Sequence, residues 1–457
     1  MLSNVGAPMS KSAIVIAIEG LGTNMIGAYG GPWASTPNLD AFAAQAIVCD
    51  QFLLDTDSIA GLYRSMFWGQ HGLAAWDRNA PTLLQRLEAK GLSSLLVHDA
   101  AWAADWIVPS FSESIDLTRD PRTALEVSED DWETACMPET LGVALDAWHQ
   151  STERSSLLWI HCQGWNGPWD APYVYREALG DEDDPPPPQG IDRPEEWFDA
   201  ASDPDLLFGW TQAAAAQSKL LDQAWAWIDS ALEDRQQLDD CLVILLGLGG
   251  YPLGEHGAIG PRLARPYAER MHVPCVIRPG KEWHIGRRIH SLTRPSDLHA
   301  TLLSWFDNEV QDDGDPKSEE VSTPSRSLMK LSSSELLKST KHLLPYPMVT
   351  AQGLGFRIGP WWALWNWEHP IEDFEERYHH VQSTGDGGKW GELPSRSSGV
   401  ELYLLPEDRW QQNDIANRAG SVVEAIEAFA DAWLAWQTSD ATAAPPSIPS
   451  LLLDPPS

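Results

Sequence analysis

Two ionisable side chains stand next to glycines at positions where this sequence predicts a turn, and turns are where chemistry is expected. Glu19 follows an apolar run and precedes Gly20. A carboxylate there could ligate a metal ion or cap a helix N-terminus. His256 lies in the run Gly254-Glu255-His256-Gly257, which could be catalytic or could serve only as a backbone turn. The residue types alone leave both alternatives open at each position.

Cysteine chemistry is not indicated. The chain has five cysteines, which are far apart, odd in number and never arranged as Cys-x-x-Cys. A disulfide framework needs an even number, and a zinc site needs close pairs. The spacing therefore predicts neither.

A parallel sheet is the element expected to position these side chains. Continuous apolar runs predict buried strands at 13–18, 93–97, 157–161 and 242–246, and helical spacing predicts helices at 37–46, 82–90 and 212–233. Strands separated by helices predict an α/β fold, with a mostly parallel sheet covered by helices on both faces. Such sheets bind ligands at the carboxyl ends of their strands, here the turns after Ile18, Leu54, His161 and Leu246.

The charge of the chain excludes several partners. With 66 Asp and Glu against 31 Lys and Arg among 457 residues, the formal charge is −35. A field this negative repels nucleic acid and anionic membrane surfaces. No signal peptide or membrane-spanning run is evident from the N-terminus onwards, so we expect a cytoplasmic protein. The expected partner is a small molecule or a carbohydrate. The oligomeric state is left open.

Composition shifts suggest the domain boundaries. We predict a large domain over residues 10–325, a smaller C-terminal subdomain over 340–440, and a disordered tail over 441–457 that is rich in Pro, Ala and Ser. The acidic stretch 308–323 is the expected linker, and a second sheet and a helix over 421–436 are expected in the subdomain. An acidic, proline-rich segment at 180–190 is expected to be an exposed loop or an extended spacer.

From Ala13 to Trp436 the order of motifs resembles the sulfatase family of the alkaline phosphatase superfamily. The matching segments are Ile14–Gly22, Gly27–Gly30, Thr36–Ala46, Arg64–Gly69, Gly167–Pro172, Gly254–Gly257, Val273–Arg278, Glu401–Asp408 and Gln412–Ala416. The resemblance implies a sulfatase-like α/β domain with a smaller C-terminal α+β subdomain. It also implies descent from sulfuric ester hydrolases.

The residues that would bind the family's metal ion are mostly missing. Sulfatases hold calcium with two adjacent acids after the first strand, and here those positions are Glu19 and Gly20. A further pair of ligands belongs in a turn that corresponds to Gly247–Gly250, which carries no side-chain oxygen or nitrogen. Glu19 is then a remnant, and no cofactor is expected, although calcium would be expected if an active site were retained.

The nucleophile and its arginine are also eroded. The family pattern places a Cys or Ser four residues before an Arg. Anchored on Gly69, this pattern falls on Ile59 and Tyr63. Anchored on Ser58, it leaves Arg64 two residues late, turned off the shared helical face.

The sulfate contacts implied by the resemblance show similar losses. Asp99 stands where the family has a lysine, Asn166 where it has a histidine, and Arg262 follows the position of another lysine. Asp99 would repel a sulfate group. The 24 tryptophans offer another clue: Trp165 and Trp169, and the cluster over 361–367, could stack on sugar rings or could simply fill the core.

The leading hypothesis is a sulfatase-like pseudoenzyme that acts as a binding or regulatory module. One alternative is an active hydrolase of sulfate or phosphate esters with a rearranged site built on Ser58, Arg64, His256 and Glu19. Another is a carbohydrate-binding protein that uses the inherited cleft.

Overall fold

The structure is a computed structural model. It describes residues 11–72, 80–103, 107–119, 127–151, 156–199, 201–234, 240–261, 264–280, 286–307, 325–329, 345–375, 393–438 and 446–453. The predicted linker at 308–323 lies outside these residues.

An eight-stranded sheet forms the centre of the large domain. Its strands are β1 (Ser12–Glu19), β2 (Ile47–Phe52), β3 (Ser93–His98), β4 (Glu113–Asp116), β5 (Ser156–Cys162), β7 (Cys241–Leu248), β9 (Cys275–Pro279) and β10 (Arg287–Thr293). They follow the order β10-β2-β9-β7-β1-β5-β3-β4. All neighbours are parallel except β9, which runs antiparallel to both β2 and β7. The mostly parallel sheet predicted from the apolar runs is confirmed.

Strand β1 lies between β5 and β7, and every residue of it is buried. Ala13, Val15 and Ala17 face one layer of the core, while Ile14, Ile16 and Ile18 face the other. Both faces of the strand are therefore covered. That explains why its sequence is continuously apolar rather than alternating.

Helices cover the two faces. The described helices of the domain are α1 (Pro37–Ala44), α2 (Ile59–Trp68), α3 (Leu83–Glu88), α4 (Cys136–Gln150), α5 (Tyr173–Glu177), α6 (Pro204–Asp234), α7 (Ala268–Met271) and α8 (Pro295–Phe306). Helices α2, α3 and α8 pack on one face, and α1, α4 and α6 on the other. Helix α6 begins eight residues before its predicted start at 212. A small pair, β6 (Glu196–Trp197) and β8 (Ala258–Ile259), lies outside the main sheet.

The C-terminal subdomain is a second, antiparallel sheet with one long helix. Its strands are β11 (Tyr346–Val349), β12 (Gly353–Ile358), β13 (Trp361–Trp367) and β14 (Arg396–Leu404), followed by α9 (Gly420–Thr438). Within the predicted tail, residues 446–453 are described, and Leu452 is fully buried in the subdomain core. This part of the tail is therefore packed rather than disordered. No helix in the described part of the chain has the length and apolar character needed to span a bilayer.

Candidate functional site

The carboxylate of Glu19, at the end of β1, accepts hydrogen bonds from three protein side chains. Oε1 lies 2.8 Å from Nε2 of His161 and 3.1 Å from Nε1 of Trp102, and Oε2 lies 2.8 Å from Nδ2 of Asn166. Glu19 is 5% exposed. A buried carboxylate with several N–H partners is already satisfied without a cation.

His161 continues this network into the core. Its Nδ1 lies 2.7 Å from the hydroxyl of Tyr63, which accepts a hydrogen bond of 2.9 Å from Nε1 of Trp159. An indole N–H can only donate, so the Tyr63 oxygen accepts the bond from Trp159. A carboxylate can only accept, so Nε2 of His161 donates to Glu19. The resulting chain of hydrogen bonds is Trp159, Tyr63, His161, Glu19.

Two glycines at the expected metal positions, Gly20 and Gly250, are crowded, whereas nothing lies within 4 Å of a Cβ built at Gly249. Gly20 has a φ of +72°, and a Cβ there would lie 2.7 Å from Cβ of Trp165. At Gly250 a Cβ would lie 1.8 Å from the carbonyl oxygen of Glu269. No side chain fits at these positions without displacing its neighbours. Within the described ranges, no three His, Cys, Asp or Glu side chains converge as a metal site would require.

Ser58 is the N-cap of helix α2. Its Oγ accepts a hydrogen bond of 3.0 Å from the amide of Gly61, and the residue is 1% exposed. Glu375, from the C-terminal subdomain, hydrogen-bonds to the Ser58 side chain and accepts from the amide of Ala60 at 3.2 Å. Burial raises the pKa of Glu375 to about 7. A carboxylate of the same chain thus lies at the helix N-terminus, the place best suited to an anion.

His256 makes structural contacts with both of its ring nitrogens. Nδ1 lies 2.6 Å from Oε1 of Glu269, and Nε2 lies 2.9 Å from the carbonyl oxygen of Gln411. The ring stacks on Tyr267 with centroids 3.7 Å apart. Burial lowers the pKa of His256, but the hydrogen bond and charge of Glu269 outweigh it, so the net shift is upward. Arg64 is buried in α2, and its charge acts on His71.

An open cavity of about 320 Å³ lies beside this network, at the carboxyl ends of β3, β4 and β5. Asp99 and Asn166, the two predicted sulfate-contact positions within the described residues, both line it. Oδ1 of Asp99 accepts a hydrogen bond of 2.7 Å from the amide of Gln163, and burial raises the pKa of Asp99 to about 7. Arg262 lies outside the described residues.

The tryptophans predicted as stacking surfaces are core residues, which corrects that interpretation. Trp165 and Trp169 are 0% and 1% exposed, and Nε1 of Trp165 donates to the carbonyl of Ala214. The four tryptophans over 361–367 are also buried. None of these rings offers a free face to a sugar. Among the described tryptophans, the exposed ones are Trp33, Trp197 and Trp410.

Several residues of the site were missed by sequence reasoning. His161 and Trp102 hydrogen-bond to Glu19 from distant parts of the chain, and Tyr63 hydrogen-bonds to His161. Glu375 reaches Ala60 of α2 from 315 residues away. For His161 the sequence did contain a signal, because this residue ends a predicted strand, and ligand sites are expected at the carboxyl ends of such strands.

Comparisons with known proteins agree with this architecture. The sulfatase family profile matches residues 11–308. A solved phosphonate monoester hydrolase of Agrobacterium radiobacter is 13% identical, with a TM-score of 0.62 over 93% of this chain and 96% of that one. A solved 2-O GAG sulfatase is 14% identical, with a TM-score of 0.63 over 94% and 93%. A third protein, solved in complex with its substrate D-glucosamine-2-N,6-O-disulfate, is 12% identical, with a TM-score of 0.61 over 94% and 99%. No curated protein sequence matches the chain.

Proposed function

The chain belongs to the sulfatase family, and on that premise we propose that it is a sulfatase-fold protein without hydrolase activity, retained as a binding or regulatory module. The observation that carries this proposal is the saturation of Glu19 by His161, Trp102 and Asn166. The one carboxylate left at the family's metal position already has protein donors on both oxygens.

The site does not fit the calcium ion that the family implies. Hard cations take six to eight oxygen ligands. Glu19 supplies one carboxylate that is already hydrogen-bonded, and the turn Gly247–Gly250 supplies no side-chain ligand. The crowding at Gly20 supports the same conclusion, because a second acid restored there would overlap Trp165.

The side chains that would stabilise negative charge during ester hydrolysis are also replaced or occupied. Transfer of a sulfuryl group requires stabilisation of negative charge, which usually contributes most of the rate enhancement. Asp99 introduces a carboxyl group at the predicted sulfate contact, and Tyr63 stands in one register at the position of the arginine. The Tyr63 hydroxyl is occupied by Trp159 and His161. These residues favour a closed polar network over a reactive centre.

One observation favours a second candidate, a hydrolase that uses Ser58 as nucleophile. Glu375 hydrogen-bonds to the Ser58 side chain, and burial raises its pKa to about 7, as a general base would require. Against this candidate, Ser58 is 1% exposed and does not line the cavity. The Ser58–Glu375 pair accounts equally well for a capped helix.

The test is to purify the protein, measure bound calcium by elemental mass spectrometry and assay an aryl sulfate and an aryl phosphate. We expect substoichiometric calcium and no turnover above the uncatalysed rate. Stoichiometric calcium with turnover would overturn the proposal. Loss of that turnover in Ser58→Ala, with intact mass reporting any conversion of Ser58, would support the hydrolase instead.

A further inference from the structure

We propose that the cavity at the carboxyl ends of β3, β4 and β5 binds an uncharged, polyhydroxylated molecule of about monosaccharide size. The inference rests on the proposed function, because it assumes that this region binds a ligand and does not turn it over. The volume of about 320 Å³ is at the lower end of ligand pockets, which run from about 300 to 1,000 Å³.

The cavity is distinct from the closed network around Glu19. It lies between the sheet edge and the start of helix α4, and Cys136 and Thr140 of that helix line it. Asn166 separates the two regions. Its side-chain Nδ2 donates to Glu19, while its backbone carbonyl oxygen accepts from Arg193. The position of the cavity at the carboxyl ends of parallel strands is where α/β sheets bind ligands.

The charges that line the cavity nearly cancel. Arg119 forms an ion pair with Glu139. Asp192 and Arg193, which are consecutive in the sequence, add one negative and one positive charge to the lining. Burial raises the pKa of the remaining acid, Asp99, to about 7, so it is only partly ionised at neutral pH. A sulfate or phosphate would face three carboxyl groups here, and a cation would face two guanidinium groups. A neutral ligand meets neither penalty.

The polar groups are suited to hydroxyls, which both donate and accept. Arg193 has five N–H donors and commits one to the Asn166 carbonyl, and no carboxylate among the described residues forms an ion pair with it. Asp99 uses Oδ1 to accept from Gln163 and also lines the cavity. A forked donor and a carboxyl acceptor in one small cavity can bind neighbouring hydroxyls of a single molecule.

The experiment is a binding titration by calorimetry and saturation-transfer NMR with glucose, galactose, N-acetylglucosamine and myo-inositol. Glucose 6-sulfate and glucuronate serve as the anionic probes. Arg193→Gln and Asp99→Ala remove the proposed contacts. Arg288→Gln is the matched control, since Arg288 also donates to a backbone carbonyl, that of Ala28, but lies on β10 away from the cavity. Circular dichroism verifies that each variant folds.

We expect at least one neutral probe to bind with a Kd below about 10 mM. The affinity of the wild type for this neutral probe should exceed its affinity for the anionic probes. The affinity for the neutral probe should fall about tenfold or more in both cavity variants and remain unchanged in Arg288→Gln. Failure of every neutral probe, equal affinity in the variants, or tighter binding of glucose 6-sulfate would each overturn the inference. Absence of binding together with absence of turnover would leave the proposed non-catalytic role standing. Hydrolysis of glucose 6-sulfate would contradict the proposed function itself.

Discussion

The hydroxyl of Tyr63 lies 2.7 Å from Nδ1 of His161, which is 98 residues away in the sequence. Through this contact, helix α2 is joined to strand β5, and His161 joins both to Glu19 at the end of β1. The centre of the sulfatase fold is therefore occupied by a buried hydrogen-bond network of the protein's own side chains.

Tyr63→Phe tests the strength of this network. Removing the hydroxyl leaves Nε1 of Trp159 and Nδ1 of His161 without their partner, so we expect the free energy of unfolding to fall by about 1–3 kcal/mol. Urea denaturation followed by circular dichroism measures it. Tyr175→Phe is the control, because Tyr175 is also buried and packs on Lys219. Equal effects in the two variants would show that the network contributes little.

Gly20→Asp tests whether the second metal acid can be restored. We expect a strongly destabilised protein without a calcium-dependent rise in Tm, because the new Cβ would lie 2.7 Å from that of Trp165. The control is Gly91→Asp, where φ is +74° and nothing lies within 4 Å. Both variants carry about 1 kcal/mol of backbone strain, and only Gly20→Asp adds about 1–3 kcal/mol from overlap. A calcium-stabilised Gly20→Asp protein would contradict the proposal that this site has closed.

Glu375→Gln tests the carboxylate at the start of α2. Because burial raises the pKa of Glu375 to about 7, the folded state favours its protonated form. The free energy of unfolding should fall as pH rises from the ordinary Glu value of 4.5 to about 7, and stay reduced above it. The variant should lack this fall and be more stable than the wild type at pH 8, by about 1 kcal/mol after solvent screening.

Thermal unfolding between pH 5 and 8 measures this effect. Glu372→Gln, an exposed position three residues earlier, is the control and should follow the wild-type profile. A Glu375→Gln protein that is less stable than the wild type at pH 8 would show that the charged carboxylate is favoured at the helix N-terminus.

His256→Gln tests the contact between the Gly254–Gly257 turn and the segment around Gln411. The pKa of His256 is raised above its ordinary value of 6.5 by Glu269 against the effect of burial. The stabilisation is therefore fully present below pH 6.5 and is lost as pH rises through the raised pKa. We expect His256→Gln to be about 1–3 kcal/mol less stable at pH 6, with a smaller difference at pH 9. His369→Gln, at an exposed position, should show neither change, and a deficit independent of pH would mean that the charge of His256 is irrelevant.

The fold was predictable because its signals are local. A continuous apolar strand such as β1 is apolar because both of its faces are buried, and the capping box of Thr82 and Gln85 marks the start of α3 within four residues. The order of such elements, together with the motif resemblance, was enough for the family. The pair Glu19 and Gly20, on which the proposed loss of the metal site rests, was also visible in the sequence.

What surrounds Glu19 was decided by tertiary structure. Glu19, Tyr63, His161 and Glu375 are brought together by strand order and by docking of the C-terminal subdomain, and neither leaves a short-range signal. Exposure is also a tertiary property, which is why Trp165 and Trp169 suggested a sugar platform and proved to be core. The sequence determined which strands and helices form, because those depend on neighbours along the chain. The structure alone decided where a closed network and an open cavity lie, because burial and hydrogen bonding depend on neighbours in space.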